Sequence, residues 1–135
     1  MSRAIVVSRA VTGLLFLSQL VLGIAFWTGH AQSLVQLHMT LGGLFVLSLW
    51  ALAALCARAG APRAAALLTT FMGAIVTWFG LVQMQIVPGA NHWMIRLVHL
   101  LLGLVAMASG GSLASQVPRS SRTPGRTVAE GPARA

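Results

Sequence analysis

Two histidines with matching surroundings are the residues of this chain best suited to chemistry. The first sits in Leu37-His38-Met39-Thr40-Leu41-Gly42 and the second in Val98-His99-Leu100-Leu101-Leu102-Gly103. Each falls early in a long apolar stretch, and each is followed four residues later by a glycine. An imidazole in hydrocarbon is costly, so it marks a functional site whose partner has to be named. Here each histidine has the other as candidate partner. Two imidazoles facing each other across a helical bundle are the axial ligand set of a b-type haem.

The elements that must position this pair are membrane helices. The chain has 135 residues, 57% of them hydrophobic and only 7% charged. That composition places it among membrane proteins. Four apolar stretches, 5–27, 33–56, 64–87 and 92–113, reach the ~20 residues that a spanning helix needs. The connectors 28–32, 58–63 and 88–91 are short and punctuated by glycine or proline, so neighbouring helices run antiparallel. The expected fold is all-α, a four-transmembrane-helix up-down-up-down bundle built from a tandem two-helix repeat. In that repeat Gly23 precedes His38 by fifteen residues and Gly80 precedes His99 by nineteen. The transmembrane domain takes residues 1–115, and 116–135, rich in Pro, Ser, Arg and Gly, reads as a disordered cytoplasmic tail.

Charge gives the orientation. The formal net charge is +8, from nine arginines, no lysine and one acid, Glu130. Arg3, Arg9, Arg58, Arg63, Arg119, Arg122, Arg126 and Arg134 all fall on one side of the bundle, leaving Arg96 alone on the other. By the positive-inside rule both termini are cytoplasmic, which suits a bacterial inner membrane. The arginines flank apolar runs and are not interleaved with aromatics on a polar surface. They therefore suit lipid headgroups, and nucleic acid is excluded as a partner. The first stretch is longer than a signal-peptide core and ends at the interfacial anchor Trp27, so it reads as an uncleaved span. The lone Cys56 excludes an intramolecular disulfide or a Cys-Cys metal motif and reads as a small apolar residue.

Helices two and four both enter from the outer side, with His38 about six and His99 about seven residues in; at about 1.5 Å per residue both lie roughly 10 Å deep. The two helices are diagonal in an up-down bundle, roughly 12–14 Å apart if neighbouring axes are ~8–10 Å apart. That gap suits an imidazole–iron–imidazole bridge. Gly42 and Gly103, one turn deeper on the same faces, would let a flat macrocycle approach the backbone, and Gly23 and Gly80 would clear its other edges. The competing reading of these glycines is close helix packing. Arg96, one turn outward of His99, could pair with a haem propionate or snorkel to the headgroups, and Gln36 is a weaker candidate at the corresponding depth. Phe16, Phe45, Phe71, Trp78 and Phe79 read as bundle packing, Trp27 and Trp93 as an outer aromatic belt. Gln19, Thr77 and Gln83 read as interhelical hydrogen bonds, with quinone contacts the alternative. The second nitrogen of each ligating histidine needs a carbonyl or hydroxyl acceptor, which the sequence does not identify.

Three segments carry a family resemblance. Gln36-Leu37-His38-Met39-Thr40-Leu41-Gly42-Gly43, Arg96-Leu97-Val98-His99-Leu100-Leu101-Leu102-Gly103, and Thr77-Trp78-Phe79-Gly80-Leu81-Val82-Gln83 between them are similar to segments of the heme A synthase family. Over roughly residues 5–115 the chain resembles one four-helix half of that family, and more broadly the bis-histidine membrane cytochrome b bundles. The resemblance implies a haem held by His38 and His99 near the outer face. Full-length members of the family have two such bundles, one with catalytic machinery that includes a carboxylate. This sequence has one bundle and no acid within the membrane. The resemblance therefore implies haem binding or electron transfer more than stand-alone haem hydroxylation. A second copy or another membrane subunit would restore two bundles.

The expected function is thus a haem b protein passing electrons, with a quinol or a redox protein as partner. The alternative is a cofactor-free assembly or structural subunit. A small transporter is disfavoured because no Asp, Glu, Lys or Arg lies at midplane and both core histidines are shallow. An outward-facing copper site from His30, His92, Met94 or Met39 has suitable ligand types but no tight spacing; His30 and His92 read otherwise as solvated interface residues.

Overall fold

Helix α1, Arg3–Trp27, starts at Ser2, whose hydroxyl accepts from the Ile5 amide at 3.4 Å. The computed structural model, which describes residues 2–86 and 89–118, continues with α2 (Val35–Arg58), α3 (Arg63–Val82) and α4 (His92–Ser115). Short 3-10 turns, Gln32–Leu34 and Gln83–Gln85, precede α2 and follow α3. No strand occurs among the described residues. The four helical segments, 25, 27, 23 and 24 residues long with these turns included, are long and apolar enough to cross a membrane. Over the described residues the chain is an all-α, four-helix integral membrane protein.

Local chemistry sets the reversals. Gly60 has φ +91°, the left-handed conformation that stops a helix at little cost to glycine, and the Ala61 amide returns to the Cys56 carbonyl at 3.0 Å. Pro62 then caps α3, where its missing amide costs nothing. Between α1 and α2, Gly29 (φ +79°) and Ala31 (φ +61°) both take the left-handed region. Expected and observed spans agree closely except at the end of the third. There the α-helix stops at Val82 and Gln83–Gln85 wind as a tighter turn.

Packing is strongest within the hairpins α1–α2 and α3–α4 and between α2 and α3. Helices α2 and α4 also meet across the centre, whereas α1 and α3 scarcely touch. This corrects the expectation of a uniformly wide α2–α4 diagonal. The reason is Gly110: a Cβ there would stand 2.6 Å from Leu49 Cδ1 and 3.6 Å from Leu52 Cδ2, so the α2 leucines insert against bare α4 backbone.

The core is confined to one end. One cluster joins Ile5, Leu52, Ala53, Cys56, Ala61, Ala66, Leu113, Ala114 and Val117; a second, nearer the middle, joins Phe45, Val46, Leu49, Val76 and Ala106. Among the described residues, none from 13 to 44 or from 77 to 105 is buried. The bundle therefore has a packed half, holding the start of α1, the end of α4 and the α2–α3 turn, and a loosely packed half that holds both histidines. Of the tail expected from residue 116, Val117 is buried, and Pro118 lies over the Gly60 turn, 3.6 Å from where a Cβ would stand. The rest of that tail, 119–135, lies outside the described residues.

Candidate functional site

Helical spacing directs both histidines inward. His38 stands seven residues before Phe45 and His99 seven before Ala106, and both of those residues belong to the central core cluster. Seven residues are nearly two full turns, so each histidine shares the inward face of its helix and lies about 10 Å from that core layer. On α2 the stripe reads His38, Gly42, Phe45, Leu49; on α4 it reads His99, Gly103, Ala106, Gly110. Below them Phe16 packs against Phe45, with ring centroids 5.7 Å apart and planes tilted by 45°.

Each histidine ring is flanked by a phenyl ring from the other helix of its own hairpin. Phe26 meets His38 edge-on, with centroids 5.2 Å apart and planes at 74°. Phe79 stacks on His99, with centroids 6.1 Å apart and planes at 14°. The two phenyl rings are not at equivalent positions of the repeat, since Phe26 lies three residues after Gly23 and Phe79 one before Gly80, and the ring geometry differs in each half. Phe26 escaped the sequence reading; its one signal was its place beside Trp27, in the helix paired with His38.

The Nδ1 atoms of His38 and His99 are both buried and have no hydrogen-bond partner. A neutral imidazole carries one donor and one acceptor nitrogen. Leaving a buried polar atom unpaired costs about 1–3 kcal/mol. The described residues supply no carbonyl or hydroxyl acceptor to either Nδ1. Two partnerless imidazole nitrogens, on facing stripes in the loosely packed half, are a donor set that fits a metal held between two histidines. No cluster of three or more His, Cys, Asp or Glu that could hold a metal occurs among the described residues.

The glycines differ in what surrounds them. A Cβ on Gly80 would stand 3.0 Å from His99 Cε1, so Gly80 clears the His99 ring itself. At Gly42 a Cβ would meet the Gln19 amide, at 3.4 Å from Oε1, and at Gly103 it would meet Phe16 Cε2 at 3.8 Å. The space over these two glycines is thus lined by α1 side chains. Gly23 faces nothing within 4 Å.

Arg96 is exposed, one turn from His99 toward the α3–α4 connector. Gln19 donates from Nε2 to the His38 carbonyl at 2.9 Å, the interhelical bond expected of it. Thr77 instead bonds back to the Gly73 carbonyl of its own helix at 2.9 Å, since a hydroxyl on an exposed helix face reaches the preceding turn most easily. Phe71 and Trp78, expected in the bundle, are 61% and 62% exposed and face outward. Trp27 and Trp93 are exposed too, as an interfacial belt requires. His30 is exposed and its Nδ1 lies 3.1 Å from Thr28 Oγ1. Two shallow grooves, of about 400 Å³ between α1 and α2 and about 270 Å³ between α2 and α3, include neither histidine in their walls. No family model, no curated protein and no solved structure matches the chain, so its function has to be argued from this site.

Proposed function

We propose that this chain is an integral membrane haem b protein in which His38 and His99 are the axial ligands and which serves electron transfer. The observation that carries the reading is the pair of buried, partnerless Nδ1 atoms in the half of the bundle that lacks a packed core. Bound haem would supply a one-electron couple whose potential is set by axial ligands and burial. The protein's own part is positional. Phe26 and Phe79 limit the rotation of the two imidazoles. Phe45 and Phe16 close the apolar floor toward the packed half. Arg96 offers a charged fork to a carboxylate nearer the membrane surface.

Arginine placement supports an orientation with the packed half cytoplasmic, because Arg3, Arg9, Arg58 and Arg63 lie at that end. The histidines then lie toward the outer face, where a quinol or an external redox protein would exchange electrons. No Asp or Glu lies in the four helices, so the resemblance to heme A synthase supports haem binding without the family's carboxylate chemistry.

The test is a dithionite-reduced minus oxidised visible spectrum of detergent-purified protein expressed with haem supplied. A sharp low-spin b-type signal, equimolar with the chain, supports the reading. A colourless but folded and monodisperse protein overturns it and leaves the cofactor-free assembly subunit.

A further inference from the structure

Few polar contacts tie the helices together. Among the described residues, two side-chain hydrogen bonds join one of the four α-helices to another, and Gln32 Nε2 ties the turn before α2 to the Phe26 carbonyl of α1 at 3.4 Å. Trp50 Nε1 donates to the Thr70 carbonyl at 3.0 Å in the packed half, and Gln19 Nε2 donates to the His38 carbonyl at 2.9 Å in the other. The helix ladder uses one lone pair of the His38 carbonyl, and Gln19 takes the second. The side-chain bond that joins α1 to α2 in the loosely packed half therefore falls on the residue with the partnerless imidazole.

Gly42 belongs to the same arrangement. A Cβ there would stand 3.4 Å from Gln19 Oε1, 3.7 Å from Cδ and 3.9 Å from Nε2, so glycine leaves the amide its room. No residue of α2 before Phe45 is buried, and packing does little to fix these first turns. His99 is held differently, by the contact of its ring with Gly80 and Phe79.

We infer that Gln19 is the positioning residue for His38: its amide pins the His38 backbone to α1 and so sets the direction of the imidazole, with Gly42 clearing the amide. The consequence for haem rests on the reading of His38 as a ligand; the tether itself rests on the hydrogen bond.

The test uses the full chain in lipid nanodiscs, as wild type, Gln19→Leu, Gln19→Glu and Gly42→Ala. In haem-free protein, backbone amide exchange over residues 36–44 should rise about three- to twentyfold in Gln19→Leu, the loss expected for one interhelical hydrogen bond in a membrane. Exchange over 99–106 should not change. In haem-loaded protein, the low-spin ferric EPR g values report the orientation of the ligand planes. They should shift in Gln19→Leu and Gly42→Ala and return in Gln19→Glu, whose neutral carboxyl can donate to the same carbonyl. Wild-type exchange and wild-type g values in Gln19→Leu overturn the inference. If that variant does not fold, unchanged exchange and g values in Gly42→Ala overturn it. A wild-type chain that takes up no haem overturns the proposed function, and the exchange measurement then decides the tether by itself.

Discussion

Gly80 lies flat against His99: a methyl group at position 80 would stand 3.0 Å from Cε1 and within 4 Å of both ring nitrogens. The preceding residue, Phe79, stacks on the same ring. Consecutive residues of α3 thus form a seat for one imidazole. Gly80→Ala forces the ring to move at an overpacking cost of about 1–3 kcal/mol. Haem content should fall several-fold in a protein that still folds. Gly111→Ala is the matched control, since nothing lies within 4 Å of its Cβ and it lies in the packed half, and its haem content should equal that of wild type. Equal haem content in both variants would show that the seat does not matter.

Replacing either histidine separates a ligand from a structural residue. His38→Ala and His99→Ala should each abolish the low-spin spectrum. Neither should unfold the protein, because the buried core lies in the other half of the bundle. Each substitution also removes a buried nitrogen without a partner, which relieves a cost of about 1–3 kcal/mol. The haem-free variants should therefore melt no lower than haem-free wild type. A drop in melting temperature for both, with no haem in wild type, would mark the pair as structural.

The helices, their order and the inward histidines were legible because hydropathy, glycine punctuation and the matched depth of the two histidines all report on the backbone. What each helix face touches was not legible. Lipid tails are as apolar as a protein core, so Phe71 and Trp78, exposed, carry the same sequence signal as Phe45, buried. For the same reason Gly42 and Gly80 looked alike, yet one clears an amide from α1 and the other an imidazole from α4. Val117 was hidden by composition: it opens a Pro-, Ser- and Arg-rich stretch but closes the core at the α2–α3 turn.

Leu49 and Gly110 form the closest approach of α2 to α4 that the glycine positions reveal. Leu49 is fully enclosed, so its Cδ1, 2.6 Å from a Cβ at 110, has little room to yield. Gly110→Ala should destabilise the bundle by about 1–3 kcal/mol. Leu49→Ala should cost about 2–5 kcal/mol through the cavity it leaves. The double variant should lose clearly less than the sum, because the alanine at 110 enters that cavity. Additive losses in a denaturant double-mutant cycle would mean that the two positions do not share a contact.

Arg96 distinguishes a charge that serves the site from one that serves the lipid. It lies three residues before His99 and is exposed, and no acid is present among the described residues to pair with it. A guanidinium close to a propionate holds positive charge near the iron and favours the reduced state. Arg96→Gln should then lower the midpoint potential, and Arg96→Lys should lower it less, since lysine keeps the charge but loses the two-pronged hydrogen bond. The shift should be the same in detergent and in nanodiscs of neutral or anionic lipid. An arginine that only reaches the headgroups gives another pattern: the potential stays at the wild-type value in detergent, and Arg96→Gln changes only the dependence on lipid charge. Redox titration of the three proteins in the three environments decides between them.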